Sequence, residues 1–256
     1  MTDRFPFRRQ RRAITPATFG HVDRQRQEDH PYWLAIAALL VVALPYLPFG
    51  NYVLYPFFIL TTWFHEMGHG LTAIAMGMQF DRLVIEPNGS GYALILSDPD
   101  NWGLTHAIVS AGGPLGPAIA GALMILASAH RKWRVFALYA LAGIIIASTA
   151  IWVRSMIGWV VLIPTAAIIV AIANRARADI ARFALQFLGV HAAISMFGQW
   201  GYLFSDGAVI DGTHRVSDTG AMAQYLALPY WFWACVLIGI GALIIGASLR
   251  HVLGAR

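Results

Sequence analysis

Residues His65-Glu66-Met67-Gly68-His69 place two imidazoles and a carboxylate inside an otherwise apolar stretch. They form the H-E-x-x-H pattern of zinc-dependent hydrolases. Histidines four apart on an α-helix lie one turn apart on the same face, with Cβ atoms about 6 Å apart. Both can then reach one Zn²⁺ at about 2.0–2.1 Å. Glu66, three residues before His69, leans over that face and is placed to take a proton from a water at the ion. The flanking runs NYVLYPFFILTTWF and GLTAIAMGM are apolar. Ionisable groups in lipid are costly and mark functional sites, so the motif predicts a metal site built within the membrane.

A catalytic zinc takes three protein ligands and keeps the fourth position for water. The third ligand must be an Asp, Glu or His from elsewhere in the chain. The candidates are Asp206, Asp211, Asp218 and His191, with Asp98 and His106 more remote. A lone histidine on an apolar helix, as His191 is, reads as a packing residue. Ser195 and Gln199 in the same segment read as polar contacts between helices.

The elements that position these groups are membrane spans. The chain has 256 residues, 58% hydrophobic and 12% charged, with a mean hydropathy of +0.59; soluble domains carry about 25% charged residues. Seven apolar segments, near 31–48, 52–77, 103–128, 134–152, 156–173, 183–204 and 230–248, approach the ~20 residues that cross a bilayer. The expected fold is an all-α multi-span membrane protein with six or seven transmembrane helices. A small β-hairpin follows the zinc-motif helix, because MQFDRLVI and GYALILS alternate around Pro87-Asn88-Gly89-Ser90-Gly91. Residues 1–30 read as a basic, disordered cytoplasmic tail, and residues 31–250 as one polytopic membrane domain. The net charge of +5 lies in that tail and in short loops, the distribution of a membrane protein and not of a nucleic-acid binder. The single cysteine, Cys235, excludes an intrachain disulfide and any Cys-based zinc site.

Within 103–128, Gly112, Gly116 and Ala120 recur every four residues, the small-residue spacing that lets membrane helices approach closely. Pro114 and Pro117 predict a kinked helix pressed against the zinc-motif helix. If every segment crosses, the basic clusters HRKWR and NRARADIAR and the basic C-terminus lie opposite the arginine-rich tail, against the positive-inside tendency. One re-entrant segment before residue 130 removes the conflict, and the Pro/Gly-broken 103–128 segment is the candidate.

The chain resembles the site-2 protease family of intramembrane zinc metalloproteases, in particular its compact bacterial branch without a PDZ domain. The resemblance rests on HEMGH in an apolar helix, on the downstream AGGPLGP run, and on Ser217-Asp218 followed by a small-residue helix, which is similar to that branch's Ser-Asp-Ala run. Classical members carry the third ligand in a Leu-Asp-Gly or Asn-Pro-Asp-Gly sequence, whereas this chain has Ser205-Asp206-Gly207 and Ile210-Asp211-Gly212. The resemblance therefore implies one Zn²⁺ per chain on His65, His69 and Asp218, with Asp206 and Asp211 as alternatives, and Glu66 as catalytic base. It also implies a transmembrane protein substrate, the lipid bilayer as surroundings, and a multi-pass location in a bacterial inner membrane. Nothing in the sequence speaks to oligomeric state. The alternative from another class is a non-catalytic zinc-binding membrane scaffold or transporter, which predicts a closed site with four protein ligands.

Overall fold

The computed structural model describes residues 32–97, 103–175, 177–210 and 213–254; the basic segment 1–30, Asp98 and Asp211 lie outside the described residues. The chain enters through α1 (Tyr32–Ala43), passes a 3-10 turn (Leu44–Tyr46) and swings through 119° into α2 (Gly50–Ala75), the helix that carries HEMGH. The corner follows from its residues. Pro45 sits in the 3-10 turn, Phe49 takes a left-handed φ of 63°, and a Cβ on Gly50 would come within 1.7 Å of the Leu44 carbonyl oxygen. Only glycine fits there. At that angle, about 15 residues rising ~1.5 Å each retreat only about 10 Å along the α2 axis. So α1 folds back against α6.

Five more long apolar helices follow among the described residues: α3 (Gly103–Ala129), α4 (Arg131–Ile151), α5 (Met156–Arg175), α6 (Ala178–Gly198) and α9 (Tyr230–Gly254). With α1 and α2 counted as one broken span, the number of crossings is at most six, the lower end of the expectation. The break lies in the first pair and not in 103–128. There α3 runs as one helix through Pro114 and Pro117, held by α2, α6 and α9 on its flanks. Neighbouring helices make such prolines tolerable in a membrane. α6 begins at Ala178, so part of NRARADIAR is already helical and Arg182 is buried. With α1 folded back, His130–Arg134, Arg175, Arg177 and the end of α9 fall at one end of the bundle. Trp33 of α1 packs on Phe183 of α6 at that same end, 5.6 Å between ring centroids.

The predicted hairpin forms between β1 (Gln79–Ile85) and β2 (Gly91–Leu96), antiparallel with Ile85 opposite Gly91. Gly89 takes a φ of 88°, and Asn88 Oδ1 accepts from the Ser90 N–H and hydroxyl. The hairpin doubles back along α2. Tyr55 donates to the Pro87 carbonyl at 2.8 Å and Thr62 to the Gly89 carbonyl at 2.6 Å. The outer edge of β1 is occupied, since Leu83 N–H donates to Trp152 O and Arg154 N–H to Leu83 O.

The span expected over 183–204 ends at Gly198, and its last residues join 205–229, read from sequence as a polar loop and short helix, in a compact connector. It comprises α7 (Trp200–Leu203), a second hairpin of β3 (Gly207–Ile210) and β4 (Thr213–Val216), and α8 (Asp218–Tyr225). α8 begins where expected, with Ser217 as its N-cap accepting from the Gly220 N–H at 3.0 Å.

Candidate metal centre

Apolar burial orients α2. Leu54, Ile59, Trp63 and Met67 are buried, and the Trp63 indole N–H donates to Ser148 Oγ on α4 at 3.1 Å. This rotation turns His65 and His69 towards α3. The two helices touch backbone to backbone through glycines. A Cβ on Gly68 would lie 2.2 Å from the Gly112 carbonyl oxygen, and one on Gly116 2.5 Å from the Phe64 carbonyl oxygen. The small-residue spacing in α3 thus faces the glycine inside HEMGH. Gly113, the next residue, faces the histidines; a Cβ there would stand 2.1 Å from His69 Nε2 and 2.8 Å from His65 Nε2.

Three side chains converge in that space. His65 Nε2 and His69 Nε2 are 3.2 Å apart. Asp218 Oδ2 lies 3.1 Å from His65 Nε2, and Asp218 Oδ1 lies 3.2 Å from His69 Nε2. His69 Nδ1 donates to the Val109 carbonyl on α3 at 2.8 Å, which leaves Nε2 with its lone pair pointing at the other two residues. Asp218 Oδ2 is buried and accepts no hydrogen bond from the described residues. Ligands about 2.0–2.1 Å from a tetrahedral ion are about 3.3 Å from one another. The donor types, their spacing, the orphaned carboxylate oxygen and the side-chain-free wall at Gly113 all fit a zinc ion.

Asp218 reaches the histidines from outside the helix bundle proper. It is the first residue of α8, and its neighbours anchor it. Ser217 Oγ donates to the Ser205 carbonyl at 2.5 Å, Thr219 Oγ1 to the Leu203 carbonyl at 2.6 Å, and Ser217 N–H to the Asp206 carbonyl at 3.1 Å. On the other side of the site, Glu66 is buried beside the start of β2. A Cβ on Gly91 would come 3.1 Å from its Cγ. Glu66 stands outside the converging trio.

A family profile described as Peptidase M50B-like matches residues 33–248. The chain belongs to that family, the site-2 proteases. No curated protein and no solved structure gives a significant match. The match of this site-2 protease begins after the basic segment and spans α1 to α9.

Of the sequence candidates, the fold brings together His65, His69 and Asp218, with Glu66 adjacent. Asp206 is exposed and contributes its backbone carbonyl, not its carboxylate, to the anchoring of Ser217. His191 is buried among the rings of Phe57, Phe58 and Phe187, at 5.8, 5.5 and 6.3 Å. His106 stacks on Tyr225 at 5.0 Å. Ser195 donates to the Ala192 carbonyl of its own helix and bridges to no other helix among the described residues. Sequence reading missed the separate role of Gly113. The doubled glycine was its signal, since one glycine meets the α2 backbone and the next meets the imidazoles.

Proposed function

We propose that this chain is an intramembrane zinc metalloprotease of a bacterial cell membrane, hydrolysing peptide bonds of transmembrane protein substrates with one Zn²⁺ on His65, His69 and Asp218. The observation that carries the reading is the open ligand set. Three ligand atoms converge, and no fourth His, Cys, Asp or Glu joins them among the described residues. A structural zinc fills its shell with four protein ligands, whereas a catalytic one leaves a position free. That arrangement disfavours the scaffold alternative.

When bound, zinc polarises the scissile carbonyl and acidifies water. Glu66 takes the proton of the attacking water and delivers it to the leaving nitrogen. Its position next to the histidines, buried against β2, keeps the carboxylate aimed at the site. Val109 holds His69 in the tautomer a ligand requires.

The substrate has to be extended at the cut, because helical backbone in lipid has its polar groups paired internally. β1 cannot receive it, since Trp152 and Arg154 cover its edge. The outer edge of β2, at Gly91 and Ala93 beside Glu66, can accept a strand by β-augmentation. Deleting the turn residues Asn88 to Ser90 should abolish cleavage while zinc stays bound; unimpaired cleavage would remove β2 from the mechanism.

The decisive experiment uses the purified, reconstituted chain. Glu66→Gln should retain one zinc per chain and cleave a reconstituted transmembrane substrate about 10²–10⁴-fold more slowly. Full turnover in that variant defeats the proposal. Uncut membrane proteins accumulating in cells that carry it would separate a peptide substrate from a lipid-soluble amide or ester.

A further inference from the structure

The helix that carries the histidines and the base also holds the first hairpin. Tyr55, Thr62 and Glu66 are spaced seven and four residues apart, so they form one stripe along α2. The β1–β2 turn lies against that stripe. It is closed on itself by two backbone bonds, Glu86 N–H to the Ser90 carbonyl at 2.8 Å and Gly89 N–H to the Glu86 carbonyl at 2.9 Å. Two hydroxyls tie it to the helix, Tyr55 at the Pro87 carbonyl and Thr62, one turn before Glu66, at the Gly89 carbonyl. Thr62 therefore grips the turn two residues ahead of Gly91, where β2 begins. Its methyl touches the same place. A Cβ on Gly91 would stand 2.8 Å from Thr62 Cγ2, 3.0 Å from the Val84 carbonyl oxygen and 3.1 Å from Glu66 Cγ. Thr62 and Glu66 thus flank the first residue of β2 and leave no room for a side chain on it. Gly91 pairs with the buried Ile85, so this contact lies on the inner face of the hairpin.

We infer that Thr62 is a positioning residue that sets which peptide bond of the substrate is cut. The inference rests on the protease reading above and on the β2 edge as the place where the substrate strand pairs. A strand on that edge takes its register from β2, and the bond attacked is the one that this register brings level with Glu66. The position of β2 along α2 is set by Thr62 in two ways. The hydroxyl draws the turn onto the helix, and the methyl stops its approach at Gly91. Without the hydroxyl, Tyr55 still holds the turn, so the strand shifts along the helix instead of detaching. A slip of one residue would turn every substrate side chain to the opposite face, so slips come in steps of two.

The probe is a single-span peptide with Asn-Gly in the middle of an apolar segment of about 20 residues. It is reconstituted with each protein, and the cut bonds are read by mass spectrometry. The parent should cut chiefly one bond. Thr62→Val keeps the shape and removes the donor. It should retain one zinc per chain, cut further bonds two residues away, and cut the original bond about 10²-fold more slowly, the scale of a misplacement of about 1 Å. Thr62→Ser keeps the donor and should preserve the parent's single cut. Gly91→Ala tests the contact from the other side and should slow cleavage by a similar factor. Adding Thr62→Ser to it removes the atom nearest the new methyl and should restore part of the loss. Three results overturn the inference: Thr62→Val cutting the parent's bond alone at any rate, loss of zinc from that variant, or no restoration in the double variant. If Glu66→Gln is fully active, or the parent leaves the peptide whole, the protease reading itself has failed. If Glu66→Gln is inactive and Thr62→Val matches the parent, only the role of Thr62 has failed.

Discussion

The two halves of the ligand set are built by different means. His65 and His69 sit in the interior of a 26-residue helix whose backbone is in glycine-to-glycine contact with α3. Their positions are set by the packing of the whole bundle. Asp218 sits on an eight-residue helix in a connector, and its position is set by a few hydroxyl-to-carbonyl bonds from Ser217 and Thr219. A helix that short is marginal in isolation, so tertiary contacts must hold it. Met222 supplies one, buried with Ala107, Ala118 and Leu237. The difference predicts two kinds of fragility. Changes on the α2–α3 face should destroy the site by steric intrusion, whereas changes in the connector should loosen it in steps.

The largest effect should come from Gly113→Ala. The added methyl would meet His69 Nε2 at 2.1 Å, too close for either imidazole to keep its place. Zinc affinity should fall by at least about 100-fold, beyond the 10–100-fold typical of losing a supporting contact, and cleavage should fall with it. Gly143→Ala, where a Cβ would meet nothing within 4 Å, is the reference and should leave both unchanged. Zinc titration of the two apo proteins in detergent makes the comparison. Equal affinities would mean that the α3 wall does not shape the site.

This asymmetry also explains what was legible in the sequence. HEMGH could be read because both ligands and the base lie within one helical turn and a short-range rule relates them. The glycine face of α3 was visible as a four-residue spacing, and the β1–β2 turn as Pro87-Asn88-Gly89-Ser90-Gly91. The choice among Asp206, Asp211 and Asp218 was not legible from physics alone, because it depends on how a 31-residue connector folds back over the bundle. Asp206 and Asp218 are close through their backbones, so proximity in the chain could not separate them. The resemblance favoured Asp218, and the fold brings that residue to the histidines. The fold-back of α1 was hidden for a related reason. Its composition is that of a span, and the corner is made by Phe49 in a left-handed conformation, which no periodicity reveals.

The smaller effect tests the connector. Thr219→Val removes the bond from Oγ1 to the Leu203 carbonyl, and Ser217→Ala removes both a cap and the bond to Ser205. Loss of the cap costs about 1 kcal/mol, small beside the packing of six long helices, so bundle melting should hardly move. The carboxylate should nevertheless wander, and zinc affinity should drop about 10–100-fold in each variant. Cleavage should recover at saturating zinc, because the bond-making groups are intact. That recovery distinguishes a loosened ligand from a blocked one, since Gly113→Ala should stay inactive at any zinc concentration. If Thr219→Val and Ser217→Ala bind zinc as tightly as the parent, the hydroxyls are dispensable. Asp218 would then be held by the packing of Met222 against α3 and α9, making the connector part of the same rigid body as α2.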